Sequence, residues 1–310
     1  MQKNVSLYVN YVQKNDTLII LDEVQEIPEA IEALKYFCEN APEYHIAVAG
    51  SLLGISLHHN ISYPVGKVNE IDMYPMSYGE FLYVESGALK EVRRIQKEIL
   101  KGYERDFSKH SPKEQIERIK MVWRSIPSQL FKDNKKFIYG ALRQGARAKD
   151  FEIAIEWLVD SGLLYKVSRC TKPALPLDIY EDFSVFKLYL LDIGLLGAMV
   201  NVDPAQILIN NQIFSEYKGG MTEEYVLQEM KSRNISPIYY HKTDDSRLKL
   251  DFVIQYNGKL LPIEVKTEGN VRANSLMSLL KANPDLQAVR LSMLPYKQQE
   301  QLFCVPLYVI

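Results

Sequence analysis

A chain of 310 residues with 47% hydrophobic and 25% charged side chains can build two or three cores and has an ordinary globular composition. Its formal charge of −2 supplies no overall field for nucleic acid, so any such contact must come from a local basic patch. Cys38, Cys170 and Cys304 lack metal-ligand spacing and suit a reducing compartment. With no signal-peptide pattern and no bilayer-length apolar run, a soluble cytoplasmic protein without membrane attachment is expected.

The first informative stretch is Thr17 to Glu23, an apolar run that ends in two adjacent acids. A buried parallel strand followed by Asp-Glu is the Walker B half of a nucleotide site. Asp22 would hold Mg²⁺ through water, and Glu23 would polarise the attacking water. The other half, a glycine-rich loop ending in Gly-Lys-Ser/Thr, is not found. Gly66-Lys67 and Gly258-Lys259 are followed by Val68 and Leu260 and have no suitable earlier glycine. ATP binding is therefore expected only where such a loop is supplied. Beyond the acids, Pro28 opens a periodic helix through Phe37, and His45 to Ala49 reads as a second buried strand ending at Gly50-Ser51. Val65 to Ile71 is strand-like, and Tyr74 to Leu82 reads as a turn and helix start.

From Leu89 to Phe131 the pattern is helical and heavily charged, which fits a solvated face. Ile126 to Val185 reads as a winged helix, with Gly162 stopping a helix from about Asp150 to Ser161 and a strand at Leu163 to Ser168 beginning the wing. Lys132, Lys135, Lys136, Arg143, Arg147 and Lys149 precede or open that helix. They admit two readings, nucleic-acid docking through phosphates or a plain inter-domain module. Leu188 to Val200 reads as a buried helix.

The last hundred residues return to α/β. Thr222 reads as an N-cap, then come strands at Ile238–His241, Leu250–Tyr256 and Leu260–Lys266, a helix near Ser275–Ala282, and strands near Ala288–Ser292 and within Phe303–Ile310. In this α-β-β-β-α-β order, the Asn257-Gly258 turn folds Asp251 back beside Glu264, and strand alternation puts Lys266 on the face of Glu264. Two carboxylates and a lysine at one end of a sheet are the groups that Mg²⁺-dependent phosphodiester cleavage uses. Glu223, with Glu224 in reserve, would add an acid from the first turn of the preceding helix. A surface salt bridge with a helix-terminal acid accounts for the spacing equally well. The five histidines form no ligand pattern.

Several motifs bear on family: Leu21-Asp-Glu-Val-Gln25, Ala49-Gly-Ser51, Pro75 to Leu82, Ser125 to Leu130, Gly145-Ala-Arg147, Phe186 to Asp192, Glu223 to Met230, Leu250 to Ile254 and Pro262 to Lys266. On these the chain resembles prokaryotic AAA-type P-loop ATPases fused to a C-terminal domain of unknown function with a PD-(D/E)xK-like fold. The resemblance implies an α/β protein in three parts. Residues 1–85 would be a truncated AAA-type core from Walker B onward, 86–200 a helical lid remnant with a winged-helix region, and 201–310 a nuclease-like domain. Asp22, Glu23, Ser51 and Lys67 become the candidate nucleotide residues, Lys67 standing where the family usually has arginine. Asp251, Glu264 and Lys266, with Glu223, become the candidate nuclease residues, and Asp22, Asp251 and Glu264 the candidate metal ligands. Two functions follow as expectations. One is a partial ATPase-family protein carrying a Mg²⁺-dependent nuclease or nucleic-acid binder. The other is a non-catalytic, ATP-controlled switch or partner-binding scaffold. Self-association is compatible with both.

Overall fold

A computed structural model describes residues 15–24, 27–50, 66–76, 89–132, 134–201, 215–245, 247–267 and 274–310. The chain divides into two compact units, Met1–Met73 and Tyr74–Ile310.

The smaller unit is built on a parallel strand pair, β1 (Leu18–Leu21) and β2 (His45–Val48), joined through helix α1 (Pro28–Asn40). A parallel pair requires such a crossover, and Pro28 sits in its first turn, where the missing N–H costs nothing. Val24, Ile31 and Leu34 are buried, the last two three positions apart on one helix face. Neither strand is the buried one expected: in β1 Leu18 is 56% and Ile20 66% exposed with Ile19 and Leu21 half-buried, and β2 alternates in the same way, because a two-stranded sheet has edges on both sides. The expected strand over Val65–Ile71 is not formed in its described part. Residues 66–68 make a turn, with Gly66 at φ 73°, a left-handed conformation that breaks a ladder. Ser51 and residues 77–82 lie outside the described residues.

The larger unit opens with helices α2 (Leu89–His110), α3 (Ile116–Leu130) and α4 (Ala148–Asp160). Edge-to-face contacts of Phe107 with Trp123 and Trp157 join all three. Gly162, at φ 70°, ends α4 as expected. Strands β3 (Leu164–Cys170) and β4 (Glu181–Leu190) then form an antiparallel hairpin. This hairpin does not stand apart as a wing. Arg169 and Cys170 pair in parallel with β5 (Ile238–Lys242), so the two strands become the outer pair of an eight-stranded sheet. The remaining strands are β6 (Lys249–Tyr256), β7 (Lys259–Val265), β8 (Ala288–Ser292), β9 (Lys297–Gln299) and β10 (Leu302–Pro306). Their order is β4-β3-β5-β6-β7-β8-β10-β9, and position 200 therefore separates no two sheets.

Two sequence expectations need correction. The run Leu188–Val200 is not one helix. Leu188–Leu190 finish β4, and the Asp192 carboxylate accepts the Leu195 N–H at 2.7 Å to start helix α5 (Ile193–Met199). Thr222 is not an N-cap either, because helix α6 runs Ser215–Ser232 and the Thr222 hydroxyl donates back to the Lys218 carbonyl at 2.7 Å. Inside this helix Gly220 lies where a Cβ would meet the Phe131 ring at 2.4 Å. Close packing, rather than chain reversal, is its reason. From α6 the order β5-β6-β7-α7-β8, with α7 Asn274–Ala282, is the expected one. Asn257 (φ 48°) and Gly258 (φ 74°) form the predicted hairpin turn.

Candidate functional site

Glu223 sits in the middle of α6 and is buried, on the side of α6 that reaches β4. A carboxylate taken from water needs partners, and it has three. Lys135, from the loop after α3, donates to one oxygen. Lys187 (3.3 Å) and the Tyr189 hydroxyl (3.1 Å), both on β4, reach the other. Burial pushes the Glu223 carboxyl upward, but Lys187, Lys135 and Lys249 together outweigh it and hold the group below the usual carboxylate range. The same burial lowers Lys187, opposed by Glu223 and Asp251, and raises Tyr189 well above an ordinary phenol. Lys187 also lies over the rings of Tyr240 (4.7 Å) and Phe252 (6.0 Å), which face its charge with π density.

Asp251 and Glu264 lie on neighbouring antiparallel strands, one step beyond the Phe252–Ile263 pair. Both are buried. One Asp251 oxygen accepts the Val265 N–H at 3.0 Å, and the other meets the Lys249 ammonium at 3.2 Å. Glu264 meets Lys266 at 2.8 Å through one oxygen. Its second oxygen lies 3.8 Å from the Arg290 guanidinium, and no hydrogen bond joins them. Asp251, Glu264 and Lys266 share one end of the sheet. Glu223 is linked to them by charge: Lys249 pairs with Asp251 and also acts on Glu223, and Lys187 feels both carboxylates. Among the described residues no group of three or more His, Cys, Asp or Glu side chains is arranged to hold a metal ion. Mg²⁺ wants several free oxygens in a near-octahedral shell. Both oxygens of Asp251 and of Glu223 already face protein donors, so these residues do not fit that ion as they stand.

Glu224 is buried beside Glu223 and differs from it. One of its oxygens has no hydrogen-bond partner, and burial pushes its carboxyl well above the usual range, with only the Leu190 backbone bond opposing. Two adjacent acids are thus displaced in opposite directions by what surrounds them.

The nucleotide candidates have another character. Asp22 and Glu23 follow β1 and are exposed, with the Glu23 N–H bonded to Asp22 Oδ1 at 3.0 Å. Glu23 has φ 51°, uncommon for a side chain other than glycine. The pair stands at the carboxyl end of the strands, where ligands of parallel sheets gather. Lys67 is not with them. It pairs with Glu39 at 3.3 Å beside a cavity of about 550 Å³ lined by Leu34, Phe37, Ile46 and Val48, which does not include the two acids.

Of the six basic residues, Lys135 is spent on Glu223, while Lys132, Arg143, Arg147 and Lys149 are exposed. The outward face of α4 then continues with Glu152, Glu156 and Asp160, also exposed. A helix entering a DNA groove would bring those acids toward phosphates. Sequence reasoning missed Lys187, Tyr189 and Lys249. A lysine inside the apolar run Phe186–Leu190 was the available signal, since a buried ammonium demands a carboxylate.

Residues 1–82 match the family described as an AAA domain. Residues 78–206 match a domain of unknown function, DUF8612, and residues 218–308 another, DUF4143. No curated protein matches the chain. Protein VC1899 from Vibrio cholerae, a solved structure, aligns at 13% identity over 90% of this chain and 82% of that one. The TM-score of 0.20 is too low to relate the folds. The N-terminal region is therefore AAA-type and ATPase-like. No helix among the described residues is long and apolar enough to cross a membrane.

Proposed function

We propose that this chain is an ATPase-family protein whose larger unit is a non-catalytic, nuclease-shaped scaffold, controlled by or coupled to the nucleotide-binding state of the AAA-type region. The observation that carries the reading is the pairing of every candidate nuclease acid of that unit with an internal cation: Glu223 with Lys135 and Lys187, Asp251 with Lys249, Glu264 with Lys266. Metal-dependent hydrolysis needs those carboxylates to neutralise an ion, and the ammonium groups do that work already. In the AAA-type region, Asp22 and Glu23 would hold magnesium and a water when a phosphate loop is supplied. Magnesium there neutralises phosphate charge.

A metal-dependent nuclease is the second reading, favoured by the Glu264 oxygen that is buried without a hydrogen-bond partner. Calorimetric titration of the chain with Mg²⁺ and Mn²⁺, run beside Asp251→Asn/Glu264→Gln, separates the two. The scaffold reading expects no stoichiometric binding that depends on these acids, and no cleavage of DNA or RNA. Binding at one ion per chain, lost in the double variant with its fold intact, would overturn it.

A further inference from the structure

Beyond the acids, the sheet carries a row of polar side chains that the scaffold reading leaves unused. Strand register sets Glu264 beside Arg290, Arg290 beside Cys304, and Cys304 beside Lys297, across β7, β8, β10 and β9. Lateral neighbours in a sheet share a face. At the outer end of this row lies a cavity of about 400 Å³. Its strand residues are alternate ones, Arg290 and Ser292 on β8, Lys297 and Gln299 on β9, and Cys304 on β10, so the same face forms its floor. Leu294, Pro295 and Tyr296, in the β8–β9 connection, close one side.

Arg290 is the telling residue. It is only 6% exposed, yet its Nε is buried without a hydrogen-bond partner. Its contacts are the Glu264 carboxylate at 3.8 Å and the Cys304 sulfur at 4.0 Å, a weak acceptor. Burying an N–H unsatisfied is costly unless an acceptor arrives. The cavity wall contributes two cations, Arg290 and Lys297, and no acid. The Glu264 carboxylate gives one oxygen to Lys266 at 2.8 Å, and its other oxygen stays 3.8 Å from Arg290, too far for a hydrogen bond. An anion is what this charge set accepts. Guanidinium matches the two-oxygen edge of a phosphate, and the cavity lies within the size range of small-molecule sites. Tyr296 is 59% exposed at the rim and offers a flat ring face.

We propose that the cavity between β8, β9 and β10 binds a sugar phosphate monoester that carries a flat base, with Arg290 and Lys297 holding the phosphate and Tyr296 stacking on the base. A free nucleoside monophosphate and the 5′-phosphorylated end of a nucleic-acid strand share that chemistry.

The test is calorimetric binding of AMP, of a 5′-phosphorylated six-nucleotide DNA, and of that DNA without its phosphate, all to the full chain. The expected result is saturable binding of at least one phosphorylated probe, competed by inorganic phosphate, and none of the unphosphorylated strand. AMP binding assigns the free nucleotide as the source; binding of the phosphorylated strand alone assigns the strand end. Lys297→Gln and Tyr296→Ala, both at exposed positions, should each weaken binding by about tenfold. Arg290→Gln should weaken it more. Asp22→Ala should leave it unchanged, which distinguishes this cavity from the AAA-type region. No saturable binding of either phosphorylated probe overturns the proposal, as does binding that Lys297→Gln and Tyr296→Ala leave intact. Neither outcome bears on metal binding at Asp251 and Glu264.

Discussion

Two sets of acids in this molecule have the same kind of side chain and opposite surroundings. Asp22 and Glu23 stand exposed after a two-stranded sheet, where solvent screens their charge. Glu223, Asp251 and Glu264 are buried around an eight-stranded sheet, each beside a lysine. An exposed acid keeps its charge at little cost because water solvates it. A buried acid keeps its charge only by having internal partners, and those partners occupy the lone pairs an ion would use. The difference teaches that an acidic motif reports chemistry only once its desolvation has been accounted for.

The contrast breaks most visibly at Lys187. Lys187→Met would leave Glu223 and Asp251 short of a cation in a buried place, and breaking such a pair costs about 3–5 kcal/mol. Urea unfolding of the variant should show that loss. Lys187→Met/Glu223→Leu should cost less than the sum of its two single changes, by about 0.5–3 kcal/mol. Additive losses would mean that the contact contributes no coupling.

A smaller effect is expected where α6 meets the loop after α3. Gly220→Ala would set a Cβ 2.4 Å from the Phe131 ring and cost about 1–3 kcal/mol by overpacking. Phe131→Leu should restore part of it. A neutral Gly220→Ala would show that the ring moves freely and that Lys135, four residues on, is not held by this packing.

Next in size is the pair of adjacent acids. Glu224 has its carboxyl raised, so the folded state prefers the protonated form. The stability this gives is full below the unfolded value near pH 4 and is lost as pH rises toward the folded value. Glu224→Gln should therefore stabilise the protein by about 1 kcal/mol at pH 7 and make no difference near pH 4. Glu223 has its carboxyl lowered, so its contribution is present above about pH 4 and lost as pH falls. Glu223→Gln should accordingly destabilise at pH 7. Unfolding curves at the two pH values check both signs, and equal responses would erase the distinction.

The strands carrying these acids were legible because alternation and the Asn257-Gly258 turn are local signals, and the observed register places Asp251 and Glu264 as that turn requires. The start of α6 was not legible. Gly219-Gly220 and Thr222 point locally to a boundary, and the reason they lie inside the helix is Phe131, nearly ninety positions away. The partners of the acids were hidden in the same way. Lys135 reads as one of a basic cluster, and only the fold sends it to Glu223. In the smaller unit β1, α1 and β2 were readable because a βαβ crossover is written in consecutive residues.

The smallest expected effect concerns Glu23 and sharpens the contrast from the other side. Its left-handed backbone costs a residue with a side chain roughly 1–2 kcal/mol, which glycine avoids while giving back part of the gain as chain entropy. Glu23→Gly should therefore leave stability unchanged or raise it by about 0.5 kcal/mol, and Asp22→Asn should fall within about 0.5 kcal/mol of the parent. Thermal unfolding measures both. Such a result, set against the loss at Glu223, would show that the fold does not need the exposed acids and that their use lies in what they contact from solvent. A loss above about 1 kcal/mol at Glu23 would reverse the inference. It would make Glu23 a structural acid as well, and the AAA-type region would then keep its Asp-Glu pair for packing rather than for an ion.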